Sequence, residues 1–529
     1  MNKPAARTVP ALLAELAAGC GRHEALVDGA RRWTWAMLAA EVETVACALA
    51  AAGIRAGDRV GILAGNRAEW LFTHFATMSL GAISVGLNTW ATAHELAWQL
   101  AHAEVRLLVV EPRFRERDFL ALVAQAGELE HGLGSGLPAL GRCVVLAEEA
   151  PAEYRAWPDF LAAGAVLDAS DVARASAAVG TDDVACLLYT SGSTALPKGV
   201  PLVHGKLIDN MWAIGERQHL AADDRLWLAV SLFWSLACVN ALFALATHRG
   251  TIVLQHHFDA GEALALIEGE RCSVLYATPN MVQALDEHPD RARRDLGSLR
   301  TGVTIGTPAQ VARAARLGCA EICNVYGLTE AYGNSTVTDS SLPLAQRVET
   351  VGHALDGVEV AVLCPDTLVP RATGEAGEIV LRGNVMPGYW HDPVRSAEAF
   401  TADGWFRTGD LGLLDADGYL YYRGRLKEMV KTGGINVAPA EVEQVLATHP
   451  AVELAFVTGI PDARLDEALA AVVVLRGGAG ADAGALAAHC RERLAAYKTP
   501  RHFRFVTATE LPLTTTGKLK RNALAGLFT

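Results

Sequence analysis

Apolar residues fall in short runs separated by polar turns, and the runs alternate between two spacings. Residues 59–64, 82–87 and 105–111 are compact apolar runs that predict buried strands. Between them, 70–80 and 94–103 space their apolar residues as helices do. Residues 10–50, rich in alanine and leucine, predict one or two amphipathic helices. Further strands are expected near 226–231, 251–254, 273–276 and 322–325. Strands alternating with helices predict an α/β fold with a largely parallel sheet. Shorter strands at 357–362 and 378–382 suit a small β-barrel part, and Asp-Ala-Asp-Gly within 415–422 marks a hairpin. A second, smaller α+β domain is expected from residue 425, giving domains 1–424 and 425–529. Its first helix starts at Pro439, with Val442, Val445 and Leu446 on one face, followed by a strand at 470–475, a helix at 485–496 and a strand at 503–506. Residues 132–141 read as a loop and 151–181 as irregular chain.

Composition narrows the class. A chain of 529 residues with 51% hydrophobic residues is too long for one core and apolar enough for two or more. The net charge of −13 argues against nucleic acid or an anionic membrane as partner, so an anionic ligand needs a locally basic site. Ten scattered cysteines, of which only Cys319 and Cys323 lie close, point to a reduced, cytoplasmic protein rather than a disulfide scaffold. The first ten residues lack a long apolar core, so no signal peptide is expected. Residues 226–247 carry no charge, but Ser231, Ser235 and Asn240 interrupt them. A buried strand–turn–helix is expected there, not a membrane span.

One stretch stands out. Residues 187–200 read Leu-Leu-Tyr-Thr-Ser-Gly-Ser-Thr-Ala-Leu-Pro-Lys-Gly-Val. An apolar run empties into Thr190, Ser191, Gly192, Ser193 and Thr194, and Lys198 follows before the apolar run resumes. Hydroxyl donors, glycines that admit close backbone approach and a mobile cation together suit a polyphosphate. The G-x-x-x-x-G-K-[ST] loop does not match, because Lys198 precedes Gly199 and Val200. Taken alone, a polar surface turn would account for the stretch equally well.

Four more motifs follow in order: Asn324-Val-Tyr-Gly-Leu-Thr-Glu330, Gly404-Trp-Phe-Arg-Thr-Gly-Asp410, Tyr422-Arg-Gly-Arg-Leu-Lys-Glu-Met-Val-Lys431 and Leu511-Pro-Leu-Thr-Thr-Thr-Gly-Lys518. With 187–200 they resemble the five signatures of the AMP-forming acyl-CoA synthetase, or adenylate-forming ligase, family. The resemblance covers nearly the whole chain. It implies ATP- and Mg2+-dependent activation of a carboxylic acid as an acyl-adenylate, then transfer to the thiol of CoA. The alternative acceptor is a carrier-protein thiol or an amine. A nucleotide-binding protein without catalysis is disfavoured by the presence of Lys518, Glu330 and Asp410, and nothing in the sequence is specific for a light-emitting oxygenase on the same scaffold.

The resemblance also assigns roles. Thr190–Lys198 would hold the ATP phosphates, with Ala195 standing where glycine is usual. Gly306, Thr307 and Pro308 resemble the wall beside adenine. Tyr326, next to Gly327, would stack on the purine and Asn324 would bond its amino edge. Thr329 would reach a phosphate, and Glu330, a hard oxygen ligand, would hold magnesium. Asp410 and Arg425 would take the ribose hydroxyls, although a salt bridge between the two would explain them as well. Lys518 would enter the site for adenylation and offset the charge that builds up on phosphorus. Lys427 stands at the family's hinge. Lys431, Gly433 and Gly434 would then form part of a pantetheine tunnel. Trp234 stands where the family often carries histidine and would wall the acyl pocket, favouring an aromatic or short acid; a core tryptophan is the plain alternative. Homodimerisation is left open.

Overall fold

The computed structural model describes residues 2–130, 143–190, 197–306, 308–426, 430–437, 439–477, 479–512, 519 and 521–528. The chain forms a large N-terminal α/β domain and a smaller C-terminal domain. Two sheets carry the large domain among the described residues. One has the strand order Lys198–Val203, Val184–Thr190, Ile83–Gly86, Arg59–Leu63, Val105–Val110, Cys143–Val145 and Arg155–Ala156. It is parallel except at Lys198–Val203. The other runs through Glu321–Tyr326, Thr301–Thr304, Val274–Tyr276, Arg225–Leu228, Thr251–Leu254 and Glu24–Asp28, all parallel, with antiparallel strands added at both edges.

Parallel strands covered on both faces read as unbroken apolar runs, which is why the pattern locates them. Ala68–Ser79 is a helix buried on every side. Its Thr73, Thr77 and Ser79 hydroxyls donate to the carbonyls of Glu69, Thr73 and Phe75, so no buried hydroxyl proton is wasted. Leu26, Val60, Ile62, Trp70, Leu226 and Val253 belong to one continuous core that joins the two sheets.

Several expectations need correction. Residues 10–50 hold the helices Val9–Cys20 and Trp35–Ala51, but the Gly29-Ala30 turn between them folds Glu24–Asp28 against Arg31–Thr34 as a hairpin. Residues 151–181 are not irregular. They contain a short strand and the helices Trp157–Gly164 and Ala169–Ala178, the second capped by Asp168 accepting from the Ser170 amide. The 132–141 stretch lies outside the described residues.

The expected barrel part is an antiparallel meander of Val358–Leu363, Gly377–Gly383, Phe406–Leu414 and Leu420–Arg425. The small domain packs the helices Pro439–Ala447 and Ala483–Arg491 on a sheet built around Val452–Asp462 and Asp466–Leu475. No helix among the described residues is long and apolar enough to cross a membrane.

Gly302, mid-strand at φ +145°, has no room for a methyl group, which would overlap the Leu275 carbonyl oxygen. Gly302→Ala should lower the unfolding free energy by roughly 2–4 kcal/mol. Gly29→Ala, at φ +60° with open space around it, should lose only about 1 kcal/mol. Denaturant midpoints of the two variants check the order.

Candidate functional site

The site collects at the carboxyl ends of parallel strands. Val184–Thr190 pairs antiparallel with Lys198–Val203 in a register that sets Thr190 opposite Lys198. Ser191, Gly192, Ser193 and Thr194, with Ala195, lie outside the described residues. At the base of the hairpin Lys198 Nζ donates to the Tyr389 hydroxyl at 3.3 Å and stands 4.4 Å from its ring centroid. The Tyr389 hydroxyl in turn donates to Glu330 Oε1 at 3.0 Å. Burial, and then the Glu330 carboxylate, push the Tyr389 phenol above its ordinary range, so it stays protonated and available as a donor. Sequence reasoning missed Tyr389. It lies in Met386-Pro-Gly-Tyr389, whose only local signal is turn chemistry.

Glu330 is held by a short 3-10 turn, Thr329–Ala331, that follows Glu321–Tyr326. Met386 N donates to the Glu330 carbonyl at 2.7 Å, tying the turn to the Tyr389 segment. Thr329 Oγ1 lies 3.3 Å from Ser235 Oγ. Tyr332 closes the turn in the left-handed region, at φ 57°, with its hydroxyl accepting from Val203 N at 3.1 Å.

Tyr326 ends the same strand. Its hydroxyl donates to Asp410 Oδ2 at 2.9 Å, and its ring stacks on Tyr422 at 5.7 Å. Burial, then Asp410, push this phenol up as well. Asp410 and Arg425 are register partners on adjacent antiparallel strands of the meander. Asn324 is buried within the sheet; Nδ2 donates to the Thr350 carbonyl at 3.0 Å and Oδ1 accepts from Val325 N at 3.1 Å. Gly306 sits at φ +141°, where a side chain would meet Gln310, and Pro308 opens the helix Pro308–Arg316. Gly327 has the Gly333 backbone where a Cβ would lie. Thr307 lies outside the described residues.

Trp234 is half-buried and meets Trp90 edge-on at 5.0 Å and Phe233 at 5.5 Å. Trp90 also packs on Tyr497 of the small domain at 5.7 Å, so Trp234 belongs to an aromatic cluster that crosses the domains. A π-helical turn, Leu236–Ala241, follows it, a distortion common beside functional sites.

On the small domain, Val430–Thr432 and Ile435–Val437 form a hairpin whose turn is Gly433 and Gly434, at φ +59° and +79°. Positive φ at both turn residues is what a two-residue hairpin requires, and glycine meets it without strain. Lys431 N donates to Glu467 Oε2 at 2.6 Å. A Cβ on Gly434 would stand 3.7 Å from Thr278 Cβ and 3.9 Å from Asn280 Oδ1, so this turn lies against the large domain. Lys427 and Lys518 lie outside the described residues.

The Lys198–Tyr389–Glu330 chain, the Tyr326–Asp410 pair and a smaller C-terminal domain accompany the motifs of an adenylate-forming class of enzyme, and comparison with known proteins shows that class. The family described as "AMP-binding enzyme" matches residues 13–390, and its C-terminal domain matches residues 441–518. The chain belongs to the AMP-binding enzyme family. It is 34% identical over 534 residues to a putative acyl-CoA synthetase, YngI, of Bacillus subtilis, covering 98% of this chain and 96% of that one. It is 36% identical over 508 residues to a feruloyl-CoA synthase of an Amycolatopsis species, covering 95% and 96%. Among solved structures, the amide bond synthetase McbA of Marinactinospora thermotolerans superposes with a TM-score of 0.83 at 30% identity, covering 98% and 99%. The o-succinylbenzoate CoA synthetase MenE of Bacillus subtilis, bound to a product analogue, gives 0.78 at 28% identity, covering 97% of each chain.

Tyr389→Phe removes the one hydroxyl that joins Lys198 to Glu330. Carboxylate-dependent ATP–pyrophosphate exchange should fall about 10- to 100-fold, the worth of a hydrogen bond to a charged group, with the unfolding midpoint nearly unchanged. Exchange at the parental rate would show that this bridge does not order the site.

Proposed function

We propose that the enzyme runs two half-reactions at one site and moves its small domain between them. It is an AMP-forming carboxylate–CoA ligase. In the first step a carboxylate oxygen of the acid attacks the α-phosphorus of ATP, the bond to the β-phosphate oxygen breaks, and pyrophosphate leaves. In the second the CoA thiol gives up its proton to solvent, its sulfur attacks the acyl carbonyl carbon, the bond from that carbon to the AMP phosphate oxygen breaks, and AMP leaves as the thioester forms. The observation that carries this reading is the Lys198–Tyr389–Glu330 chain at the root of the hairpin, beside the Tyr326–Asp410 pair.

In this reading Thr190, Ser191, Gly192, Ser193, Thr194 and Lys198 cradle the phosphates. Tyr326, Gly327 and the Gly306–Thr307–Pro308 segment bound the adenine, with Asn324 behind them, and Asp410 with Arg425 takes the ribose. Thr329 serves a phosphate oxygen. The donor set fits magnesium: Glu330 is a buried carboxylate whose Oε2 is not the atom bonded to Tyr389, and no cluster of three acidic, histidine or cysteine ligands occurs among the described residues. A single protein carboxylate plus substrate phosphates is how Mg2+ is commonly held. Bound there, the ion would offset phosphate charge and orient the leaving pyrophosphate. Lys518 acts in the first step. The hinge near Lys427 divides residues 1–424 from 425–529, and rotation about it brings Lys431, Gly433 and Gly434 in for the second. The Gly434 turn against Thr278 and Asn280 supports assigning the present arrangement to thioester formation.

Relatives named for CoA thioesters support free CoA as acceptor; a neighbour named for amide bonds keeps the amine alternative in view. Release of AMP accelerated by free CoA alone separates the two. Ten free thiols, nine of them buried, support a reducing, cytoplasmic setting.

Lys518→Ala should lower adenylation roughly 10²–10³-fold, as loss of one preorganised charge-stabilising donor does. Conversion of supplied acyl-adenylate to thioester should be far less affected. Equal losses in both half-reactions would overturn the two-arrangement reading.

The acid is proposed to be aromatic or short, on the reading that Trp234, half-buried beside the Leu236–Ala241 turn, walls the acyl pocket. The relative named for a feruloyl thioester supports this. A ring and chain-length series on the parent should favour benzoate- or cinnamate-like acids, by up to about tenfold for stacking on the indole. Trp234→Ala should shift the preference toward longer acids. A parent that prefers acids beyond about ten carbons, with an unchanged variant profile, would defeat the assignment.

A further inference from the structure

A buried charge cluster lies away from the reacting groups, between the two domains. Lys498 Nζ donates to Glu441 Oε1 at 2.7 Å and to Glu95 Oε1 at 2.8 Å. Lys498 and Glu441 belong to the small domain. Glu95 belongs to the large domain, in the helix Ala93–His102. All three are shielded from water: Lys498 and Glu441 are 3% exposed and Glu95 6%.

Glu95 already has a local task. It is the third residue of a capping box, in which Thr92 N and Thr92 Oγ1 donate to Glu95 Oε2 at 2.9 and 3.3 Å while Glu95 N donates to Thr92 Oγ1 at 3.3 Å. That box uses Oε2 and fixes the rotamer. The other oxygen, Oε1, is thereby aimed out of the helix start and across the domain boundary. Two further contacts cross at the same place. Thr92 Oγ1 reaches the Arg493 carbonyl at 3.1 Å, and Trp90 packs on Tyr497, the residue before Lys498. Arg117 backs the same segment by donating to the Thr89 and Ala91 carbonyls.

Desolvation works against a buried ammonium, and two carboxylates around it offset that cost. Burial pushes the Lys498 ammonium down, but Tyr497, Glu95 and Glu441 more than reverse this and hold it above the ordinary lysine range. Burial pushes the Glu441 carboxyl up to about 7, with Lys498 acting against that shift. Glu441 travels with Lys498 when the small domain moves; Glu95 does not. The Lys498–Glu95 bond occurs together with the packing of the Gly434 turn against Thr278 and Asn280, and in the two-arrangement reading a rotation of the small domain would break both.

We propose that Glu95 is a positioning residue for thioester formation: its second carboxylate oxygen captures Lys498 and latches the small domain in the arrangement that presents the Gly433–Gly434 turn to the large domain. The latch touches neither ATP nor the acid. It sets how much of the enzyme stands ready for CoA once the adenylate has formed. This inference rests on the two-arrangement reading above.

Glu95→Gln tests it, because glutamine retains a capping-box acceptor while replacing the cross-domain carboxylate oxygen with an amide that cannot pair with an ammonium on both sides. Thioester formation from supplied acyl-adenylate, read as kcat/KM for CoA, should fall about 10- to 100-fold, the span of a charged hydrogen bond. Pyrophosphate exchange, with its KM for ATP, should stay within about twofold of the parent, which a general loss of structure would not allow. Unchanged thioester formation, or equal falls in both half-reactions, overturns the proposal. Lys518→Ala measured in parallel separates the two levels. If it splits the half-reactions and Glu95→Gln does not, only the latch is wrong. If Lys518→Ala lowers both equally, the two-arrangement reading fails and the latch with it.

Discussion

Parallel strands buried on both faces leave only their ends for chemistry. This constraint places the groups that the two large sheets contribute to the site. Val184–Thr190 leads toward the hydroxyl-rich segment, Glu321–Tyr326 into Thr329 and Glu330, Thr301–Thr304 into Gly306, Val274–Tyr276 into Thr278 and Asn280, and Arg225–Leu228 into the turn that carries Trp234. Open α/β sheets bind ligands at the carboxyl ends of their strands for this reason. The polar groups converge because the strands beneath them are parallel and in register, not because any one loop is long or specialised. Cross-links then set the loops relative to one another: Lys198 to Tyr389 to Glu330, and Tyr326 to Asp410. Each joins an end of the parallel sheets to the polypeptide leading into or forming the meander.

The same constraint explains which parts of the fold could be read from the sequence. A strand buried on both faces needs continuous apolar side chains, so 59–64, 105–111 and 251–254 were legible and the structure has strands there. Thr301–Thr304 was not, because Thr-Gly-Val-Thr has one strongly apolar residue; its threonine hydroxyls are satisfied by the carbonyls of Gln218 and Ala277 inside the sheet. Ala169–Ala178 was missed because it buries only Val172 and so shows almost no apolar stripe. Its N-cap, Asp168, was the available signal.

The site divides along a different line. Residues within one motif, such as Thr329 and Glu330, are legible because their neighbours in sequence are their neighbours in space. Tyr389 lies 59 residues from Glu330 and 191 from Lys198, and it matters only through those two contacts. Lys498 and Glu95 are 403 residues apart. No local pattern encodes a pairing of that kind. Asn324 shows the converse: a conspicuous polar residue in a motif whose side chain is engaged in the sheet itself.

In the proposed two-step cycle, charge ties the two arrangements of the small domain together. A chain of net charge −13 has to gather two polyanions, ATP and then CoA, and to bring a carboxylate up to a phosphate. Local cations answer that need in the first step, but a cation fixed at the reacting phosphorus is unhelpful once pyrophosphate has gone and a thiol must enter. In the proposed cycle, exchanging Lys518 for the glycine turn would solve the access problem and remove an attraction to the reacting groups. Something that is not a ligand has to favour the second arrangement. A buried lysine that keeps one carboxylate partner in both arrangements and gains another in one of them has the right strength: about 1.5–3 kcal/mol, roughly 10- to 150-fold in population.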